Sequence, residues 1–276
     1  ISGLVRAETI IGGWHLEPLE NGMKTKLTYI VELDFKGSIP SFVVSQVTKK
    51  QPMQIDIIRT FLEEEENNCG GRDRFLKKYE DLDNIVNLGN VVQNNDDNDN
   101  NRDDDDNQID NNVKPMSTRV TLKGENMSLW NEPLCPIKYK DTIEAKFKTF
   151  LERVKGDRDN VNKYWSFNFE QNGVCCFVPH NSDFPGAKGI GILNYPTRAV
   201  FEIIKRCGDP DDTLAYRKDP DMKKIDVLER LNEQTSVQYL EYKAVWPVSG
   251  RDFTNITHWR RLRNGCFIFA GFTFEY

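Results

Sequence analysis

No apolar run in this chain approaches the ~20 residues a helix needs to cross a bilayer. Histidine is scarce. His15, His180 and His258 share no spacing with a serine or cysteine nucleophile, so triad-type hydrolase chemistry finds no footing and no catalytic residue is assigned. The six cysteines (Cys69, Cys135, Cys175, Cys176, Cys207 and Cys266) follow no framework spacing, and no secretory signal precedes them. Free thiols in a reducing cytoplasm are therefore expected. His180 lies four residues past Cys176, but no second pair completes a zinc set, so neither a metal nor a cofactor is expected. A basic surplus is also lacking: 37 basic residues stand against 43 acidic ones, a formal net charge of -6. A nucleic-acid binder needs a basic face to neutralise phosphates, so nucleic acid is not an expected partner.

Apolar residues are missing, Ile109 apart, from NNDDNDNNRDDDDNQIDNN at 94–112. Such a tract cannot bury enough surface to offset the entropy of ordering it, which predicts a disordered acidic linker over 67–136. Within it RDRFLKKYEDL offers a short charged helix and STRVTLKG a stray strand. Structured blocks are expected on either side, at 1–66 and 137–276. The chain opens on Ile1 rather than methionine, which reads as a processed, trimmed or partial sequence.

In the first block GLVRAETI, WHLEPLE and KTKLTYIVELDF alternate as strands, with turns predicted at Gly12-Gly13 and Asn21-Gly22. A helix follows, with Ser38 as a cap, Pro40 in its first turn, and Val44, Val47, Ile55, Ile58 and Leu62 at helical spacing. Pro52 should kink it. The second block opens with KDTIEAKFKTFLERVKG, an amphipathic helix in which Asp141 and Glu144 have capping-box spacing. WSFNFEQNGVCCFV is a hairpin around Asn172-Gly173, and YPTRAVFEIIKRCG a second helix. IDVLERLN, TSVQYLEYKAV, RDFTNITHWRRL and CFIFAGFTFEY read as four more strands. Short-connected strands with helices at the ends predict an antiparallel α+β fold. GAKGIG mimics a phosphate-cradling loop but leads into a strand with no lysine at the needed spacing, so it reads as a glycine-tolerant bend.

The stretch YKAVWPVSGRDF resembles the signature of START domains, the lipid-transfer modules related to steroidogenic acute regulatory protein. LERLNEQTSVQYLEYKAVWPVSGRDFTNITHWRRL resembles that family's central strands, and WSFNFEQNGVCCFV its first hairpin. VRAETIIGGWHLEPL and TKLTYIVELDFKGSIPSFVVSQV, with the kinked helix after them, resemble its carboxy-terminal third. The chain thus opens with the end of a START domain and closes with the beginning and middle of one. Either halves of two tandem domains or one circularly permuted domain would account for this.

The resemblance implies a helix-grip fold, a curved antiparallel sheet wrapped around a long helix of the carboxy-terminal type, with an apolar tunnel between them. It implies a non-enzymatic, cytoplasmic module that binds one lipid and carries it between membranes, touching the membrane surface transiently. The lipid would be a phospholipid, sphingolipid or sterol. The alternative is a lipid-sensing regulatory module of a larger enzyme or signalling protein. By strand parity the family's ligand-facing positions fall on Gln238, Leu240 and Tyr242, then on Phe253, Asn255, Thr257 and Trp259. Gly271, and Val44, Val47 and Ile55 on the helix, complete the expected lining. Several members place an arginine where Thr257 stands. Arg251 and Asp252 read as a charge pair that fixes a corner, and the RRLR run at 260–263 with Trp259 as a solvated strand end or a contact for anionic headgroups.

Overall fold

The structure, a computed structural model, describes residues 3–93, 136–159, 163–180 and 182–274. In chain order the elements are strands β1 (Val5–Arg6), β2 (Glu8–Leu19) and β3 (Lys24–Asp34), then helices α1 (Ser41–Lys50), α2 (Gln54–Asn68), α3 (Arg72–Gln93) and α4 (Lys140–Val154). Next come β4 (Trp165–Gln171), β5 (Val174–Pro179), β6 (Gly186–Leu193), α5 (Thr197–Arg206) and α6 (Thr213–Lys218). The remainder is β7 (Met222–Arg230), β8 (Thr235–Tyr242), β9 (Arg251–Arg261) and β10 (Phe267–Thr273).

All the strands join one sheet in the order β4-β5-β6-β3-β2-β10-β9-β8-β7, with β1 paired to β9. Neighbours along that path are antiparallel, as the short connections predict. The two sequence blocks do not form separate layers. The β2–β3 hairpin, turned at Asn21 with φ 58°, fills the gap between β6 and β10. Gly12-Gly13 is not a turn. It lies inside the twelve-residue strand β2, where Gly13 faces Ala270 across the β2–β10 seam. A Cβ at Gly13 would collide with the Phe269 carbonyl oxygen and stand 2.9 Å from the Ala270 Cα. Absence of a side chain there serves close strand approach, not chain reversal.

The corner residues also join the two blocks, though not as a pair. Neighbours on a strand point to opposite faces. Asp252 therefore takes a two-pronged bond from Arg6 of β1, at 2.9 and 2.8 Å. Arg251 turns the other way and donates to the carbonyls of Phe35, Lys36 and Ser249.

The expected kink appears as a turn of 3-10 helix at Gln51–Met53, which separates α1 from α2. Helix α1 starts with Pro40 at the cap position and no side-chain cap, so Ser38 does not play that part. Behind the kink the strand GAKGIGIL gives way: Cβ atoms at Gly189 and Gly191 would stand 3.0 Å from the Pro52 carbonyl oxygen and 2.8 Å from Ile55 Cγ2. These glycines form neither a phosphate loop nor a bend. They let the helix lie directly on β6. The first part of the expected linker is helical too, because α3 buries Phe75 and Tyr79 against the α2–α5 side of the core, with Phe75 5.4 Å edge-on to Tyr195. The acidic tract at 94–112 and the STRVTLKG stretch lie outside the described residues.

The sheet is covered on both faces. Leu27, Tyr29 and Val31 face α2 and α5, while Ile30, Ile268, Ala270 and Phe272 face α4, the alternation a two-residue period demands. Helix α4 has no capping box. Glu144 instead holds Arg260, which is buried rather than solvated and so is no headgroup contact. Lys188 closes the other end of α4, donating to the carbonyls of Val154 (2.7 Å), Lys155 (3.0 Å) and Gly156 (2.6 Å).

Beneath α4, His258 is 0% exposed. Its Nε2 accepts from Arg260 Nε at 2.9 Å, and its Nδ1 meets Thr235 Oγ1 at 2.7 Å. Burial, then the charge of Arg260, lowers this imidazole to about 3 from 6.5. Below pH 6.5 the unfolded chain therefore holds one more proton here than the native state does. Stability falls as pH falls, by about 1.4 kcal/mol per unit down to the folded value. Urea titrations at pH 7 and 5 should show that His258→Gln removes about 2 kcal/mol of the acid-induced loss seen in the parent.

Candidate functional site

Between the concave sheet face and the α1–α2 helix lies a cavity of about 1010 Å³. It reaches Asn168 and Phe169 on β4 at one edge of the sheet and Met222 and Ile225 on β7 at the other, so the sheet curls around it. A cavity of that size stands at the top of the range for small-molecule pockets, about 300–1,000 Å³.

Strand parity places most of the expected lining. Gln238, Leu240 and Tyr242 on β8 border the cavity, as do Phe253, Asn255 and Thr257 on β9 and Gly271 on β10. Val44 and Val47 face it from α1. Two expected residues do not. Trp259 lies on the same strand face, but past the end of the cavity, where Phe201 of α5 packs on it at 5.0 Å between ring centroids. Ile55 is fully buried against Gly189 and Gly191. The 3-10 turn winds more tightly than an α-helix and carries Ile55 round toward β6, leaving Gln54 and Ile57 on the cavity wall.

Most polar groups of the wall are already paired. Asn255 Nδ2 donates to Thr9 Oγ1 at 3.0 Å, and its Oδ1 accepts from Thr273 Oγ1 at 2.9 Å. The Thr257 and Ser236 hydroxyls meet at 2.9 Å, and Gln238 Nε2 donates to the Gly208 carbonyl at 3.0 Å. Tyr29 donates to Gln51 Oε1 at 2.8 Å, which fastens the sheet to the kink. Burial, with a smaller contribution from Asp219, raises the Tyr29 phenol well above its ordinary range. Asp219, Tyr29 and Gln51 border the cavity without having been foreseen: the charged run around Asp219 looks like solvated surface in the sequence.

At the rim exposed apolar side chains stand among the charged Lys49, Lys50 and Lys243. Trp246 is 90% exposed, beside Val245 at 44%, and Phe42 opens α1 at 54%. Among the described residues no group of three His, Cys, Asp or Glu side chains converges to hold a metal ion, and no helix is long and apolar enough to cross a membrane. Cys69, Cys175, Cys176, Cys207 and Cys266 are free thiols, while Cys135 lies outside the described residues.

The START domain family matches residues 1–69 and 195–272, two segments that together make up more than half of the chain. No curated protein matches it. Among solved structures, human StAR-related lipid transfer protein 5 is similar, at 16% identity with a TM-score of 0.34, over 49% of this chain and 81% of that one.

Proposed function

Because this chain belongs to the START domain family, we propose that its cavity takes up one lipid from a membrane and delivers it to another. The observation that carries this reading is the apolar cavity of about 1010 Å³ held between the two matched segments. A lipid tail leaving a bilayer through water loses about 0.8 kcal/mol for each exposed CH₂. An apolar chamber offers the tail a second greasy surrounding and removes that barrier. The task calls for no nucleophile, metal or cofactor. It calls for an entrance, and α1 is the mobile wall: only Val43 is buried along its length, and the 3-10 turn at Pro52 is its hinge.

Extraction from vesicles, followed by native mass spectrometry, tests the reading. A stoichiometric lipid adduct that passes to acceptor vesicles is the expected result. A protein that never acquires lipid sinks the proposal, and one that retains lipid without delivering it is a sensor rather than a carrier. The exposed rim supplies the membrane contact in this reading, in place of Trp259 and the buried Arg260. Trp246→Ala should slow extraction about tenfold, the equivalent of roughly 1.4 kcal/mol of lost apolar burial at the membrane, and leave the unfolding midpoint unchanged.

A further inference from the structure

One carboxylate in the cavity wall is unaccounted for. Asp219, just past α6, is 9% exposed and borders the cavity. Its Oδ1 accepts the backbone N–H of Asp221 at 3.2 Å, and its Oδ2 takes no hydrogen bond from any described residue. Buried carboxylates ordinarily carry a full set of donors, so a missing donor at a cavity wall marks a place for a ligand. Tyr242 stands close by, near enough for the Asp219 charge to add to burial in raising its phenol. Its hydroxyl also bonds to no described residue, and its ring meets Phe253 edge-on at 5.7 Å. The other inner polar groups, on Asn255, Thr257, Gln238 and Tyr29, are paired as described above.

Cations able to receive a phosphate are committed or outside. Arg251, the most buried of those bordering the cavity, spends its donors on three carbonyls. Lys50 pairs with Asp221 at 3.2 Å, and Lys243 donates to the Pro220 carbonyl at 2.7 Å, both from exposed positions. Lys49 is exposed, and Lys218 half-exposed. An anionic head seated at Asp219 would face the carboxylate's charge directly, while the cations bordering the cavity are either paired or stand partly in solvent. A head that donates hydrogen bonds satisfies Asp219 Oδ2 and gives Tyr242 a partner.

Resting on the lipid-carrier reading, we propose that the Asp219–Tyr242 corner selects a lipid whose head donates hydrogen bonds and carries no charged group, a hydroxyl- or amide-bearing neutral lipid such as a sterol or ceramide. Vesicles holding equal amounts of cholesterol, ceramide, phosphatidylethanolamine, phosphatidylserine and phosphatidic acid, read by native mass spectrometry, put this to the test. Cholesterol or ceramide should be enriched at least tenfold over the two anionic lipids. Asp219→Leu should erase that enrichment, Asp219→Asn, which keeps an acceptor oxygen, should retain most of it, and Tyr242→Phe should weaken it. Dominance of phosphatidylethanolamine would assign the corner to an ammonium group and overturn the neutral-lipid proposal. So would enrichment of the anionic lipids, or an Asp219→Leu protein that selects as the parent does. Diphenylhexatriene, an apolar probe without a head group, separates the two levels of argument. A protein that binds neither probe nor lipid refutes the carrier reading itself, whereas probe binding with the wrong lipid preference refutes only the selectivity. Should the leucine variant fail to fold, the asparagine and Tyr242→Phe proteins carry the same comparison.

Discussion

Gly13→Ala is expected to lose about 3 kcal/mol of stability or more, a large share of a whole reserve that is ~5–15 kcal/mol. The added methyl meets backbone on the facing strand, the Phe269 carbonyl and the Ala270 Cα, with Phe150 Cε2 only 3.1 Å away. Rotamer changes cannot relieve a clash with main chain; β2 and β10 must part. The adjoining Gly12→Ala provides the control, since its methyl finds nothing nearer than Thr9 Cγ2 at 3.4 Å and should cost less than about 1 kcal/mol. Urea midpoints of the two variants decide the matter. Equal midpoints would mean that the seam does not hold the two segments together.

The second large effect concerns the cavity. Leu240→Trp combined with Gly271→Leu adds bulk to two strands of the same wall. A Cβ at Gly271 would press on the Thr257 side chain at 3.3 Å, which must shift slightly, and stand 3.6 Å from the Ile256 carbonyl, so the larger side chain meets no backbone clash that would split the sheet. Lipid extraction should fall below about a tenth of the parent's, and the unfolding midpoint should hold or rise as void is replaced by contacts. Undiminished uptake by a folded double variant would show that lipid sits elsewhere.

Much of this fold was legible because period-two alternation and turn residues are local signals. The strands of both blocks, the Asn172-Gly173 hairpin, the break at Pro52 and the inward parity of β8 and β9 all follow from neighbours in sequence. What escaped depends on contacts between distant residues. Gly12-Gly13 looks like a turn until β10 is laid beside it, and GAKGIG looks like a loop until α2 is pressed upon it. Arg251 and Asp252 are adjacent in sequence and yet serve different partners on opposite faces. Ile55 was misplaced because a single tight turn shifts the phase of everything after it, and Trp259 because parity gives a face but not where the hollow ends. Helix α3 was undervalued because its charges outnumber the two aromatics, Phe75 and Tyr79, that anchor it. Asp219 gave no signal at all, since burial of one acid within a charged run is written only in three dimensions.

Residue 13 meets residue 270, and residue 29 meets residue 189, so both flanks of the β2–β3 hairpin wait for partners made far later in translation. During synthesis that hairpin is made before β6 and β10, and the sheet closes around it only once both have followed. Long-range pairing of this kind folds slowly and keeps apolar strands available to neighbouring chains meanwhile. Yield in cells should therefore depend on chaperone supply more steeply than the native state's own stability would indicate.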